Sequence, residues 1–189
     1  MANLEKFSAK ICYTASGILI YRQKVLLVWH KKLQTWLPPG GHIDSNELPH
    51  RAAEREFWEE TGVKVEAISP AAVFSDQESQ FLPLPICANL HWVCQQNYRR
   101  RLSGENLPAV VGRQWSRGCE QHYNLSFLVR PLAKIVIRRN RREVEKISWF
   151  GEEEIERINL RPAIKREIRL AWKTIKNITE ETEKGLRVD

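Results

Sequence analysis

The stretch from Leu37 to Gly62 restricts the fold more than any other part of the chain. Leu37-Pro38-Pro39-Gly40-Gly41 breaks regular structure, because two prolines cannot donate backbone hydrogen bonds and two glycines permit unusual backbone angles. The pattern then predicts a helix over about Leu48 to Thr61. Pro49 is tolerable only in its first turn. Ala52, Ala53, Phe57 and Leu48 can line an apolar face, and Gly62 stands where a helix stop is expected.

Strand-forming runs flank this helix on both sides. Lys10 to Tyr21 is largely β-branched and aromatic, and Val25 to His30 follows after the short polar turn Arg22-Gln23-Lys24, so the two read as a hairpin. Val63 to Phe74, with a break at Pro70, and Phe81 to Gln95 read as further strands. Glu120 to Val129 is another. Lys134 to Ile137 and Glu143 to Phe150 are expected as two more, joined by an arginine-rich turn. Asn97 to Gly118 is polar and aperiodic and is expected as a loop or insertion. A short acidic helix over Gly151 to Ile158 precedes a longer one over Pro162 to Ile178, with Ile164, Ile168, Ala171, Trp172 and Ile175 on one stripe. Strands, one helix, more strands and then helices imply a mixed sheet with helices on its faces. A single domain is expected over 1–189, with its core at about 10–178 and a frayed tail at 179–189.

Bulk properties narrow the function class. The chain of 189 residues is 42% hydrophobic and carries no apolar run near the ~20 residues of a membrane helix. The start, MANLEKFSAK, lacks the features of a secretory signal, so a cytoplasmic location is the default expectation. The net charge of +7 favours polyanionic partners, and it clusters at Arg99-Arg100-Arg101 and in the arginines around Asn140. Each cluster can equally be a solvated turn. Cys12, Cys87, Cys94 and Cys119 show neither a C-x-x-C pair nor zinc-ligand spacing, and reduced thiols are expected.

The helix carries the chemistry. Glu56, Glu59 and Glu60 lie at i, i+3 and i+4 and share one face, where each like-charge pair costs a few tenths of a kcal/mol. A divalent cation converts that repulsion into binding, and Mg²⁺ prefers such hard oxygen ligands. Spacing alone also fits a solvated acidic face.

The wider pattern reads Gly41, five residues, Glu47, seven residues, Arg55-Glu56-Phe57, one residue, Glu59-Glu60, one residue, Gly62-Val63. It resembles the Nudix hydrolase box, G-x5-E-x7-R-E-U-x-E-E-x-G-U, at every defined position. The lead-in Trp36-Leu37-Pro38-Pro39-Gly40-Gly41-His42 also looks like that family's. The resemblance extends over Lys10 to about Ile158 and implies an α/β/α sandwich around a mixed sheet, here with an insertion near 97–118 and a C-terminal helix. It implies that Glu59 and Glu60 are the principal metal ligands, that Glu56 binds metal or helps activate water, and that Arg55 holds Glu56 in position. Glu47 would support the cluster, and the carbonyl near Gly41 would reach the metal. Mg²⁺ is the expected ion, with Mn²⁺ able to substitute. A glutamate before a late strand often serves as general base in the family. Glu143 is the first candidate by spacing, followed by Glu145 and Glu120, with Glu56 in reserve.

The implied reaction is hydrolysis of a diphosphate linkage in a nucleoside diphosphate derivative. No subfamily mark is matched downstream of the box. Two other readings stay open: action on an RNA 5′ end, and a non-catalytic nucleotide-binding regulator. Phe81, Trp92, Trp115 and Tyr123 are candidates to stack on a base, with core packing as the competing account. His122 could face a cleft or be a structural histidine. Homodimers are common in the family, but no interface is legible here.

Overall fold

The computed structural model describes Leu4 and residues 8–69, 75–104 and 118–185. Strands β1 (Ile11–Tyr21), β2 (Lys24–His30), β3 (Thr35–Leu37) and β4 (Gly40–His42) precede helix α1 (Pro49–Thr61). Then come β5 (Val65–Ile68), β6 (Cys87–Trp92), α2 (Gln95–Leu102), β7 (Gln121–Pro131), β8 (Val144–Gly151), α3 (Glu152–Arg157) and α4 (Pro162–Gly185).

The eight strands form one mixed sheet, to which β1 is central. It pairs in parallel with β7 from Ile11↔Gln121 to Leu19↔Val129 and antiparallel with β2 and β4. β7 pairs antiparallel with β5 and β6, and β2 with β3 and β8. The β1–β2 hairpin turns on Arg22 and Gln23, both with positive φ (48° and 59°), the handedness that tight two-residue hairpins require.

Side-chain alternation separates two cores. Ala15, Leu19, Leu26, Phe127 and Val129 face α1 and pack with Ala52, Ala53 and Phe57. Ile18, Val25, Leu27 and Leu128 face the other way and pack with Ile155 of α3 and with Ile164, Ile168 and Ala171 of α4. Trp172 and Ile175 cover the edge of this second core, so the stripe predicted on the last helix is the stripe that docks. The result is a mixed sheet between helices, as the sequence pattern implies.

Several elements differ from their expected form. Lys134 to Ile137 is not a strand. The backbone N–H groups that follow it cap α1: Arg138 donates to Thr61 O at 2.7 Å and Asn140 to Glu60 O at 3.2 Å. These carbonyls lack partners inside the helix, so the segment is bound to a helix end instead of a ladder. Gly62 takes φ 73° at this junction, and a Cβ there would meet the Arg138 backbone. The expected strand over Phe81 to Gln95 is confined to Cys87–Trp92, and Gln95 onward forms α2, so the stretch from Asn97 is not simply a loop. The last helix continues to Gly185, beyond the frayed end expected after Ile178. The expected end of the β5 strand at 70–74, residues 105–117 of the insertion with Trp115, and the last four residues lie outside the described residues.

The thiol expectation is corrected for two of the four cysteines. Cys12 and Cys119 form a disulfide with a Cα–Cα distance of 5.7 Å, while Cys87 and Cys94 are free. The parallel register of β1 with β7 brings the entry to β7 beside Cys12, a juxtaposition across 107 residues that no local spacing reveals.

Buried Glu120, at the same entry, is held by Arg101 of α2. Nε and Nη2 donate to its two carboxylate oxygens at 2.8 and 2.9 Å, and Lys10 N donates to it at 2.9 Å. Arg101 keeps the Glu120 carboxyl below its ordinary pKa. A depressed folded pKa stabilises above the ordinary carboxylate value and loses that contribution as pH falls through the folded value. Arg101→Ala should therefore cost about 3 kcal/mol near neutral pH by stranding a buried charge. The penalty should shrink in acid as Glu120 protonates. Urea unfolding at both pH values measures it, and an equal cost at both would remove the ion pair as its origin.

Candidate active site

Arg55 organises the acidic face of α1. Its Nε and Nη2 donate to the two oxygens of Glu47, both at 2.8 Å, a bidentate pair. Nη1 donates to Glu56 at 2.8 Å and, more weakly, to Glu59 at 3.5 Å. Nη2 also donates to the carbonyl of His42 at 3.0 Å, which ties the helix to the end of β4. Arg55 holds the Glu47 carboxyl below its ordinary range, and the carboxylates in turn hold the guanidinium firmly charged.

Glu60 is different. It is 2% exposed, and its carboxylate accepts from Gly40 N at 3.2 Å. Burial, reinforced by Glu56, pushes its pKa up to about 8. Burial also raises Glu56, against the opposing pull of Arg55. Within this one patch, Arg55 pairs with Glu47, Glu56 and Glu59 and, at 3.7 Å, with Asp44, while Glu60 makes no ion pair with it.

The glycine pair fits this crowding by size, and the unusual backbone angles expected of it are absent: neither Gly40 nor Gly41 has positive φ. A Cβ on Gly41 would lie 2.4 Å from the Glu56 carboxyl carbon. A Cβ on Gly40 would lie 2.6 Å from Ala15 O. β4 pairs with β1 through Ala15↔Gly41 and Ser16↔Gly40, so these glycines let the Glu56 carboxylate and the neighbouring strand come close to one short segment.

Glu143 precedes β8, and its carbonyl accepts from Lys31 N at 3.0 Å at the end of β2. Its charge is felt by Glu56, Glu60 and His30, which sets it beside the acidic cluster. It is exposed and makes no ion pair with Arg141 or Arg142. The other base candidates stand differently. Glu145 lies beside Lys146 at 3.9 Å, and Glu120 is engaged by Arg101.

A cavity of about 230 Å³ opens next to Gly40, Gly41 and His42, on the sheet face covered by α4. Its floor is polar where strands under a helix are ordinarily apolar. Thr14, Asn124 and Asn89 form one row across β1, β7 and β6, and Ser16, Ser126 and Cys87 form the next. Asn124 donates to Ser16 Oγ at 3.1 Å and to Ser126 Oγ at 2.9 Å. Glu167 of α4 closes the roof, accepting from Asn89 Nδ2 and, at 3.2 Å, from Ser126 Oγ. Burial raises the Glu167 pKa. His91 and His122 line the same space, with pKa values lowered by burial to about 4 and about 3.

Of the proposed stacking residues, Phe81, Trp92 and Tyr123 do not line this cavity. His122 does. Thr14, Ser16, Asn89, Asn124 and Glu167 were not singled out in the sequence. For Thr14, Ser16 and Asn124 the signal is a run of polar residues at period 2 inside β1 and β7; Asn89 and Glu167, on β6 and α4, carry no such signal.

The profile of the NUDIX domain family matches residues 13–171. The chain belongs to that family. It is a Nudix-type hydrolase acting on phosphoric anhydrides. It is 26% identical over 146 residues to an RNA pyrophosphohydrolase of Cereibacter sphaeroides strain KD131, covering 74% of this chain and 75% of that protein. Its fold is similar to a NUDIX family hydrolase from Clostridium perfringens, with TM-score 0.57, 21% identity, and 84% and 95% of the two chains covered. A Caenorhabditis elegans Ap4A hydrolase matches with TM-score 0.56 at 15% identity, covering 88% of this chain and 98% of that one.

The Gly41 contact yields a direct test. Gly41→Ala should cut turnover by roughly 100-fold, the scale of a misplacement of about 1 Å at a reacting centre. The displaced group is the end of a side chain, so the melting temperature should hardly move. Kinetics and thermal melting of the same preparation check both halves.

Proposed function

We propose that this Nudix hydrolase cleaves a diphosphate linkage in a nucleoside diphosphate derivative, with Mg²⁺ as its ion and Mn²⁺ as a substitute. The supporting observation is the under-neutralised carboxylate patch of Glu56, Glu59 and Glu60 around Gly40–Gly41, next to a cavity large enough for a ring. Two carboxylates raised by burial and by neighbouring carboxylates, with Arg55 shared among Asp44, Glu47, Glu56 and Glu59, form a donor set that fits a hard cation.

In this reading Glu56, Glu59 and Glu60 hold the metal with the carbonyl of Gly41. When bound, the metal neutralises phosphate charge and polarises water. Arg55 fixes Glu56 and Glu59 and, through Glu47, the approach to the helix. Glu143 takes the proton of the attacking water, since it stands beside the cluster and has no ion-pair partner among the described residues. Asn89, Asn124 and Glu167 orient the substrate's ring through hydrogen bonds in the neighbouring cavity.

Action on an RNA 5′ end is the second reading, favoured by the likeness to an RNA pyrophosphohydrolase. It requires a basic track for the strand. Arg101 is already committed to Glu120, and Arg139 donates to the Glu145 carbonyl, which reduces what the arginine clusters can offer. Steeply salt-dependent binding of single-stranded RNA would support this reading.

The assay is a panel of nucleoside triphosphates, sugar nucleotides, dinucleoside polyphosphates and 5′-triphosphorylated RNA, with Mg²⁺ or Mn²⁺ and products identified by mass. Glu59→Gln and Glu60→Gln should abolish turnover while the protein stays folded, and the metal-free Glu60 variant should melt no lower than wild type because like-charge repulsion is relieved. Near-normal Mg²⁺-dependent rates in either would refute the metal assignment. Glu143→Gln should lower turnover strongly with metal affinity nearly intact. An unchanged rate would move the base to Glu145 or Glu56.

A further inference from the structure

A second donor cluster lies at the other end of β4, apart from the carboxylates. Cys12 is near the start of β1, Cys119 leads into β7, and His42 ends β4. One ligand atom from each lies within 4.8 Å of the others, with His42 Nε2 only 3.3 Å from Cys119 Sγ. Cys119 is buried and the other two are half-buried.

His122 adds a fourth nitrogen nearby. It is the register partner of Cys12 across the β1–β7 ladder, so the two side chains leave the sheet on the same face. Its ring meets that of His42 edge-on at 4.9 Å. Its Nε2 is buried and has no hydrogen-bond partner among the described residues. A buried ring nitrogen without a partner costs desolvation free energy unless something occupies it.

We propose that, when the Cys12–Cys119 disulfide is reduced, Cys12, Cys119 and His42 bind a soft divalent cation of the Zn²⁺ class, with His122 beside the fourth position. Two thiolates and imidazole nitrogen are the donors that Zn²⁺ selects, whereas Mg²⁺ prefers the oxygens of the α1 face. The two thiolates cancel the ion's charge, so the cluster can be buried without a net charge. Disulfide and metal are alternative occupants of one place. A dithiol reductant supplies two electrons and two protons and becomes a disulfide itself, leaving two thiols. Binding of the cation then releases both thiol protons.

The position gives the site a consequence. His42 is adjacent to Gly41, and its carbonyl accepts from Arg55. A metal held by all three would tie β4, which carries the first box glycine, to the start of β1 and the entry to β7, whereas the disulfide links only β1 and β7. This is a structural metal site, distinct in ligand chemistry from the carboxylate patch.

The test uses Co²⁺ as a spectroscopic stand-in for Zn²⁺ on the full chain. Protein reduced with a phosphine, and checked for fold by circular dichroism, should take up one equivalent of Co²⁺ with thiolate-to-metal charge-transfer bands and the strong visible absorption of a tetrahedral site. Zn²⁺ should bleach both. Disulfide-form protein should give neither, and Glu60→Gln should retain both, since carboxylates produce no thiolate band. Cys12→Ser and His42→Asn should each lose or markedly weaken the signal. Absence of the bands in reduced, folded wild type would overturn the proposal without reference to any variant. Their persistence in Cys12→Ser would overturn it as well, by pointing to Cys87 or Cys94.

Discussion

Crowding of carboxylates against one guanidinium is the constraint around which the box region is arranged. At an effective dielectric constant near 20, two unit charges about 4 Å apart interact by about 4 kcal/mol. Arg55 offers one positive charge and contacts Glu47, Glu56 and Glu59, while Glu60 remains behind them against Gly40 N. Burial first, and the neighbouring carboxylates second, raise the pKa of Glu60 and Glu56, the two most buried members. The local structure is therefore poised to accept positive charge. That state would collapse if α1 could tilt away, and three attachments prevent this. Arg55 holds the His42 carbonyl, Gly40 and Gly41 pair with β1, and the backbone after Ile137 caps the end of α1.

The cap also accounts for where Glu143 stands. Arg138 and Asn140 are bound to the last carbonyls of α1, and Glu143 follows within a few residues, before the chain enters β8. These hydrogen bonds fix the path of the chain as it leaves Ile137, where a strand over Lys134 to Ile137 would have carried the following turn along a ladder instead. Local β propensity was overridden by the unsatisfied carbonyls of a helix end, an interaction that a residue-by-residue scale does not contain.

Legibility in the sequence follows the range of the interaction. The hairpin, α1 with its glycine stop and the stripe of α4 are periodic or local features, and the structure forms all three. The acidic patch was legible because one helix brings i, i+3 and i+4 together. The Cys12–Cys119 pairing was not, since it depends on the parallel register of two strands separated by the length of the domain. The polar floor under α4 was hidden for a related reason. Thr14 and Ser16, or Asn124 and Ser126, look like ordinary polar residues in half-exposed strands. Only the docking of α4 over them makes their polarity costly and therefore informative.

That cost bears on where substrate choice is made. In the proposed reading the α1 face recognises charge, and every diphosphate presents much the same charge to it. The cavity beside it has fixed hydrogen-bonding groups in a region largely withdrawn from water: Asn89 is oriented by Glu167, and Asn124 by Ser16 and Ser126. A site built to hydrogen-bond a substrate rejects an analogue lacking the matching group far more strongly than an apolar pocket rejects an extra methylene, because its own polar groups are left unpaired. The division of labour in this chain then follows the two faces of one sheet. In the proposed reading, the helix packed on one face supplies the chemistry common to all phosphoric anhydrides, and the polar rows on the other face carry the discrimination. β4, short and glycine-rich, lets the two meet because it has no side chain to stand between them until His42.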